Sequence, residues 1–205
     1  MIRYFTSREL SAKLDINLAC WKRWSREFLP PDPLGGLQSG YARQYSIDDA
    51  FSVFLAGFLV RELGFSIPET KMILSDVTQW GGQAGLFVNS TLCDRYQHPL
   101  LRRVDDWRLL IHRARGGTDP AAGFHYTVSG RIEETSIDRD GLAIREIRSY
   151  EEPLETAGET DAAAPSDPLS IKILCIQALL ERFIDHLGLE RRDFPLLAQS
   201  LTQDG

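Results

Sequence analysis

The sequence predicts a mainly α fold with a small β part: short N-terminal helices, then a small antiparallel sheet, then a C-terminal amphipathic helix. Helix start signals recur through the first 76 residues. Polar and apolar residues alternate from Phe124 to Ile132, as in a strand with one buried face. Apolar residues from Leu169 to Leu187 repeat with heptad spacing, which is typical of an amphipathic helix.

The N-terminal helices are predicted from their capping residues. Three pairs place a hydroxyl residue three positions before a carboxylate, the spacing of a capping box: Thr6 with Glu9, Ser46 with Asp49 and Ser66 with Glu69. Asn17 is a good N-cap for the helix "LACWKRWSREF", which the prolines at 30 and 31 end. The glycine-rich stretch over 33–45 is predicted to form a short hairpin.

The second of these helices presents two different faces. Trp21, Trp24 and Phe28 are three and four residues apart, so they share one face and are expected to anchor the helix in a core. Lys22 and Arg26 lie on another face. A solvated charged surface is the ordinary interpretation of such a face when nothing else is known.

The composition is that of a globular protein, with 43% hydrophobic and 25% charged residues in a chain of 205. The net charge of −6 argues against nonspecific nucleic-acid binding by the whole chain. The cations are concentrated locally, because positions 11–43 hold five cations and three acids, whereas 151–167 holds six acids and no cation. No apolar run is long enough to span a membrane, and three widely spaced cysteines suit a reducing cytoplasm.

The sequence contains no recognisable motif for catalysis or metal binding. The glycine-rich phosphate loop, the nucleophile elbow and the zinc-protease motif are all absent. The three cysteines and four histidines lack the short spacing of metal ligands. We therefore expect no enzyme activity, no cofactor and no metal site.

The chain divides into six predicted segments. They are a helical domain over 1–76, a connection with room for a helix over 77–106, a small antiparallel β region over 107–152, an acidic flexible linker over 153–167, the amphipathic heptad helix over 168–188 and a tail over 189–205. The heptad helix either packs on its own sheet or pairs with a second copy of the chain.

The order of elements in the first 76 residues resembles the DNA-binding domain of the MerR family of bacterial transcription regulators. The resemblance runs from "YFTSRELSAKLDINLACWKRWSREFLPP" through "GYARQYSIDDAFSVFLAGFLVRELGFSIPETKMIL". It implies a winged helix-turn-helix domain whose second helix, 17–28, and wing, 33–45, contact double-stranded DNA. It also implies a homodimer on an operator with two half-sites, a cytoplasmic and nucleoid location, RNA polymerase as a further partner, and an effector of unknown identity.

On this resemblance, the predicted DNA contacts lie in the first turns of helix two and in the wing. Lys22 or Arg23 is expected to read a guanine, and Arg26 and Arg43 to hold phosphates. The full set is Asn17, Leu18, Ala19, Lys22, Arg23, Arg26, Tyr41 and Arg43. Family members dimerise through a long helix directly after this domain, but none is evident after Val77. Dimerisation is therefore assigned to the heptad positions Leu169, Ile173, Ile176, Leu180, Phe183 and Leu187.

Two other classes of function stay open at this point. One is an architectural or accessory DNA-binding protein, of the kind that phages and plasmids use for excision or partition, which binds several adjacent sites. The other is a protein-interaction module with no DNA role. The cluster of Lys22, Arg23 and Arg43 favours DNA binding over this second alternative.

Overall fold

The computed structural model describes residues 4–32, 42–84, 86–87, 104–113, 124–154 and 169–198. Its elements, in chain order, are β1 (Phe5–Thr6), α1 (Ser7–Lys13), α2 (Leu18–Phe28), β2 (Gln44–Tyr45), α3 (Ile47–Arg61), α4 (Ile67–Ala84), β3 (Val104–Arg113), β4 (Phe124–Ile137), β5 (Ala143–Pro153), β6 (Ser170–Leu174), α5 (Ile176–Leu187) and α6 (Pro195–Ala198). A 3₁₀ turn, Arg191–Asp193, precedes α6. Strands β1 and β2 form one antiparallel sheet, and β5-β4-β3-β6 form a second.

The predicted helix starts are confirmed. Thr6 and Ser46 each cap a helix through a capping box, in α1 and α3 respectively. Asn17 caps α2, because its side-chain oxygen accepts hydrogen bonds from the backbone amides of Ala19 and Cys20 at 2.9 and 3.3 Å. These caps involve residues two or three positions apart, so the sequence alone specifies them.

The tryptophans of α2 are buried, as the helical spacing predicts. Trp21 is 0% and Trp24 is 5% exposed. Trp24 lies against α3 at Gly57, where an added Cβ would approach the indole ring to 2.2 Å. A side chain at position 57 would therefore push α2 away from α3.

The four-stranded sheet packs against the N-terminal helices and α5. Tyr126 of β4 donates a hydrogen bond to Asp76 of α4 at 2.7 Å, and Arg113 of β3 pairs with Glu69 at 2.5 Å. Phe183 of α5 contacts the rings of Phe51 and Phe54 in α3, with ring centroids 5.2 and 5.6 Å apart. A single cluster of buried residues therefore joins the helices to the sheet.

The predicted fold class is wrong. Of the residues that the structure describes, about 47% are helical and 31% lie in strands, so the β part is not small. A four-stranded antiparallel sheet occupies the middle of the chain and a two-stranded sheet lies near the N-terminus. This arrangement does not match a winged helix-turn-helix domain followed by a small sheet. The physical reason is that the sheet, α5 and the first helices share one core, whereas the prediction treated them as separate units.

The single helix predicted over 168–188 is also wrong. Residues 170–174 form strand β6, which pairs with β3, and α5 begins only at Ile176. Ile171 and Ile173 are two residues apart, which is the spacing of one face of a strand. The same residues also fit a wide apolar stripe on a helix, so the pattern is compatible with both structures. Leu169 and Ile173 are exposed, whereas the other four predicted dimer positions are buried inside their own chain: Ile176, Leu180, Phe183 and Leu187. No continuous heptad face is left for a partner in this described segment.

The remaining predicted segments differ from the structure in detail. Helix α4 continues through Ala84, well beyond the predicted domain limit at 76. Phe194, Leu196 and Leu197 of the predicted tail are buried in the core. Most of the predicted linker, from 155 onward, lies outside the described residues.

Candidate nucleic-acid interface

The candidate interface is built around the exposed side of α2. Of the predicted DNA contacts, Asn17, Ala19, Lys22, Arg23 and Arg26 are exposed. Leu18 and Arg43 are half-buried, and Tyr41 lies outside the described residues. The side-chain oxygen of Asn17 is engaged in capping, so the group that it can offer to a ligand is its amide NH2, a donor.

A cleft of about 790 Å³ runs along this side of α2. Four cations from three parts of the chain line it: Arg8 of α1, Lys22 and Arg26 of α2, and Arg43 just before β2. Four hydroxyl groups complete its polar lining: those of Thr6, Ser7, Ser25 and Tyr45. Among the described residues that line the cleft, none carries a carboxylate. We call this feature the basic cleft.

A chain of hydrogen bonds under the basic cleft fixes the three parts of the chain to one another. The Tyr45 hydroxyl donates to Ser25 at 3.1 Å, and the Ser25 hydroxyl donates to the Lys22 carbonyl at 3.2 Å. Ser7 lies 3.1 Å from the Tyr45 hydroxyl and acts as its donor, because the single Tyr45 proton is already used. Tyr45 and Ser25 are buried, so water competes little for these bonds.

The position of Arg43 is set by two contacts. Its guanidinium donates to the Pro30 carbonyl at 2.9 Å and lies over the Tyr45 ring, 5.5 Å from the ring centroid. The Tyr45 ring in turn packs edge-on against Trp21, with centroids 5.7 Å apart. The buried aromatic side of α2 thereby positions a cation at the mouth of the cleft.

The C-terminal end of α2 is electrostatically different. Glu27 pairs with Lys71 of α4 at 3.0 Å, and this hydrogen bond and charge hold the pKa of the Glu27 carboxyl below its ordinary value. Arg23 and Arg26 lower that pKa further through their charge. An ionised Glu27 offsets part of the positive charge of Arg23 and Arg26, whereas no carboxylate among the described residues that line the cleft offsets the charge of Lys22.

The structure brings together only some of the predicted residues. Lys22, Arg26 and Arg43 share the basic cleft, whereas Arg23 does not line it. Sequence reasoning missed Arg8, since it used that segment only as a helix start. One signal was present: a cation in the first turn of a helix opposes the helix dipole, so it favours a functional role over a stabilising one. The pairing of Phe5 with Tyr45 brings Arg8 to the cleft.

The described ranges hold neither a metal-ligand cluster nor a membrane helix. Within them, no group of three or more His, Cys, Asp or Glu side chains is placed to hold a metal ion. No helix in the same ranges is long and apolar enough to cross a bilayer. Comparison of the chain with protein-family models, with curated proteins and with solved structures finds no match in any of the three.

Proposed function

We propose that the chain is a sequence-specific DNA-binding transcription regulator, of the type that the MerR resemblance implies, and that it binds an operator with two half-sites as a homodimer. The observation that carries this proposal is the basic cleft. Arg8, Lys22, Arg26 and Arg43 surround one opening along the exposed side of α2. Cations gathered on one surface of an acidic chain favour a polyanionic ligand.

The cleft cations have different roles in this proposal. Arg8, Arg26 and Arg43 hold phosphates, which position the protein on the duplex without reading its sequence. Lys22, Arg23 and the amide NH2 of Asn17 lie along the exposed side of α2 and meet base edges. An operator with two half-sites is needed because four cations per copy give only a modest electrostatic affinity.

The first experiment measures binding to duplex DNA as a function of salt. For three phosphate contacts per copy, the logarithm of the binding constant falls against the logarithm of salt concentration with a slope of roughly −3 per copy. The double variant R8A/R43A is expected to lose about tenfold to a hundredfold in affinity and to reduce that slope by about 2 per copy.

R182A is the matched control for this experiment. Arg182 is an exposed cation of α5 that does not line the basic cleft, so its removal changes the net charge without touching the site. It is expected to bind DNA within about twofold of the wild type. Equal affinity of R8A/R43A and the wild type would contradict the proposal.

Footprinting on DNA upstream of the chain's own gene tests the regulatory part of the proposal. A regulator protects one site made of two spaced half-sites, whereas an architectural protein protects an extended array. A transcription assay with RNA polymerase on the same DNA then tests whether occupancy changes promoter output. Protection of an array, with unchanged output, would reject the regulator and favour the architectural alternative.

A further inference from the structure

Strands β4 and β5 extend beyond the rest of the sheet. Pairing between β3 and β4 ends at Val104 and Ile132, whereas pairing between β4 and β5 continues to Ile137 and Ala143. Residues 133–147 therefore form a two-stranded ribbon with no other described strand beside it, which we call the arm. A two-stranded ribbon on its own is only marginally stable in water.

The outer edge of β5 has the properties of a strand that pairs with another. Its register with β4 runs from Thr127 and Pro153 to Ile137 and Ala143, and no bulge interrupts it along these described strands. Proline, which protects many edges, occurs in β5 only at its last position. Ile144 is 50% and Ile147 is 57% exposed, so apolar side chains flank a row of backbone groups that no described strand covers.

We propose that β5 pairs with β5 of a second copy, in antiparallel orientation, with Ile147 on the two-fold axis. The two-fold axis is perpendicular to the sheet, so each residue and its symmetry mate lie on the same face. Residues that oppose each other in antiparallel strands also share a face, so the residue at the axis must lie opposite its own copy. An axis at Arg145 or at Arg148 opposes two arginines, and an axis at Glu146 opposes two glutamates. An axis at Ile147 or at Ile144 opposes two isoleucines, but within β5 the first pairs residues 143–151 of both copies and the second pairs only 143–145.

The register centred on Ile147 is complementary at its other positions as well. Glu146 lies opposite the partner's Arg148, and this ion pair forms twice because of the symmetry. Ile144 lies opposite the partner's Tyr150, also twice. The Tyr150 ring already packs edge-on against the buried Trp107, with centroids 5.5 Å apart, so Ile144 of a second copy would enlarge that apolar surface.

Forming this interface requires little rearrangement of existing contacts. Arg148 now pairs with Glu146 of its own strand at 2.8 Å, and both side chains are more than half exposed. Exposed ion pairs exchange partners at small net free-energy change. Duplex DNA is a poor occupant of the same surface, because acids outnumber cations both in β5, by three to two, and in the arm, by five to two. The interface goes beyond the proposed function, and it can form whether or not the basic cleft binds DNA.

A charge-exchange experiment tests the pairing in the absence of DNA. The wild-type chain is expected to sediment at twice 23.2 kDa, the mass of one chain. E146R places arginine opposite arginine across the interface, and R148E places glutamate opposite glutamate, so each variant is expected to dissociate about tenfold or more readily than the wild type.

Mixing these two variants separates the interface from effects within one chain. In a mixed dimer, the E146R copy carries arginine at positions 146 and 148, and the R148E copy carries glutamate at both positions. Each arginine then lies opposite a glutamate. Both ion pairs are then restored, and a heterodimer is expected. If the Glu146–Arg148 pair acts only within one strand, mixing the two variants is expected to restore no dimer. A wild-type chain that remains monomeric, or single variants that do not associate when mixed, would overturn the proposal.

The register is tested by disulfide trapping in a background with the three native cysteines replaced by serine. I147C faces its own copy at the two-fold axis and is expected to cross-link on oxidation, since opposed residues have Cβ atoms about 4.5–5.5 Å apart. R145C is the matched control, because it faces the partner's Ser149 and not its own copy. Cross-linking of R145C as readily as I147C would exclude this register.

Discussion

The basic cleft and the outer edge of β5 are both exposed polar surfaces, but their charges are arranged differently. The cleft carries four cations from three parts of the chain, and buried hydrogen bonds beneath it hold those parts together. The edge carries alternating Arg145, Glu146 and Arg148 on one strand. A surface with one sign of charge suits a partner of opposite charge, whereas a surface with alternating signs suits a second copy of itself.

The largest expected effect comes from removing the aromatic support of the cleft. W21A is expected to lower the free energy of unfolding by about 3–5 kcal/mol, because Trp21 is fully buried. Urea unfolding measures this change. Y4A is the matched control, since Tyr4 is 57% exposed, and it is expected to change stability by less than about 0.5 kcal/mol. Equal effects of the two variants would mean that α2 is not anchored through Trp21.

A smaller effect is expected from the hydroxyl beneath the cleft. Y45F removes a buried group that bonds to Ser7 and Ser25, and it is expected to cost about 1–2 kcal/mol of stability. Its DNA affinity should fall as well, because α1 and α2 lose a shared anchor. Y150F removes a hydroxyl that is only partly buried in β5 and bonded to Glu152, so a smaller loss of stability is expected. Equal losses would contradict this difference between the two regions.

As the pH falls, protonation of His112 in β3 is expected to destabilise the chain before the paired carboxylates begin to protonate. Burial and the neighbouring charge of His125 lower the pKa of His112, so the folded chain resists protonation that the unfolded chain accepts. The free energy of unfolding should therefore fall by up to about 1 kcal/mol as the pH drops below about 6.5, the pKa of histidine in the unfolded chain. Urea midpoints at pH 7.5 and 5.5 measure this, and H112N should remove the difference. A midpoint in the wild type that does not change with pH would contradict the assignment.

The acidic end of α2 gives the smallest expected effect. E27Q removes the negative charge that pairs with Lys71 beside the cleft cations. DNA affinity at low salt is expected to rise by about twofold, and the gain should vanish at high salt because exposed charges are screened. E181Q, which changes the same charge on α5, is the control and should leave affinity unchanged. A lower affinity of E27Q would mean that Glu27 positions a DNA contact.

Local features of this fold were predictable from the sequence, whereas features that depend on distant pairing were not. The caps at Thr6, Asn17 and Ser46 and the inward face of Trp21 follow from residues within one helical turn. Strand β6 forms because it pairs with the open edge of β3, and no residue pattern within 170–174 predicts that neighbouring strand.

The same distinction applies to the candidate site. Lys22 and Arg26 follow from helical periodicity in α2, and Arg43 was included through the resemblance. Arg8 joins them only because two short strands pair at Phe5 and Tyr45, which are 40 positions apart in the sequence. The arm was not predictable either, because alternating polar and apolar residues predict a strand but not how far the neighbouring strand extends beside it.

The hydrogen bond from Arg43 to the Pro30 carbonyl ties together the two ends of the intervening stretch, independently of which residues that stretch contains. Changing the length of a segment with tethered ends adds little conformational penalty, since the closure entropy grows only slowly with the number of residues. Insertions or deletions between positions 32 and 42 are therefore expected to change the stability of the supporting helices little.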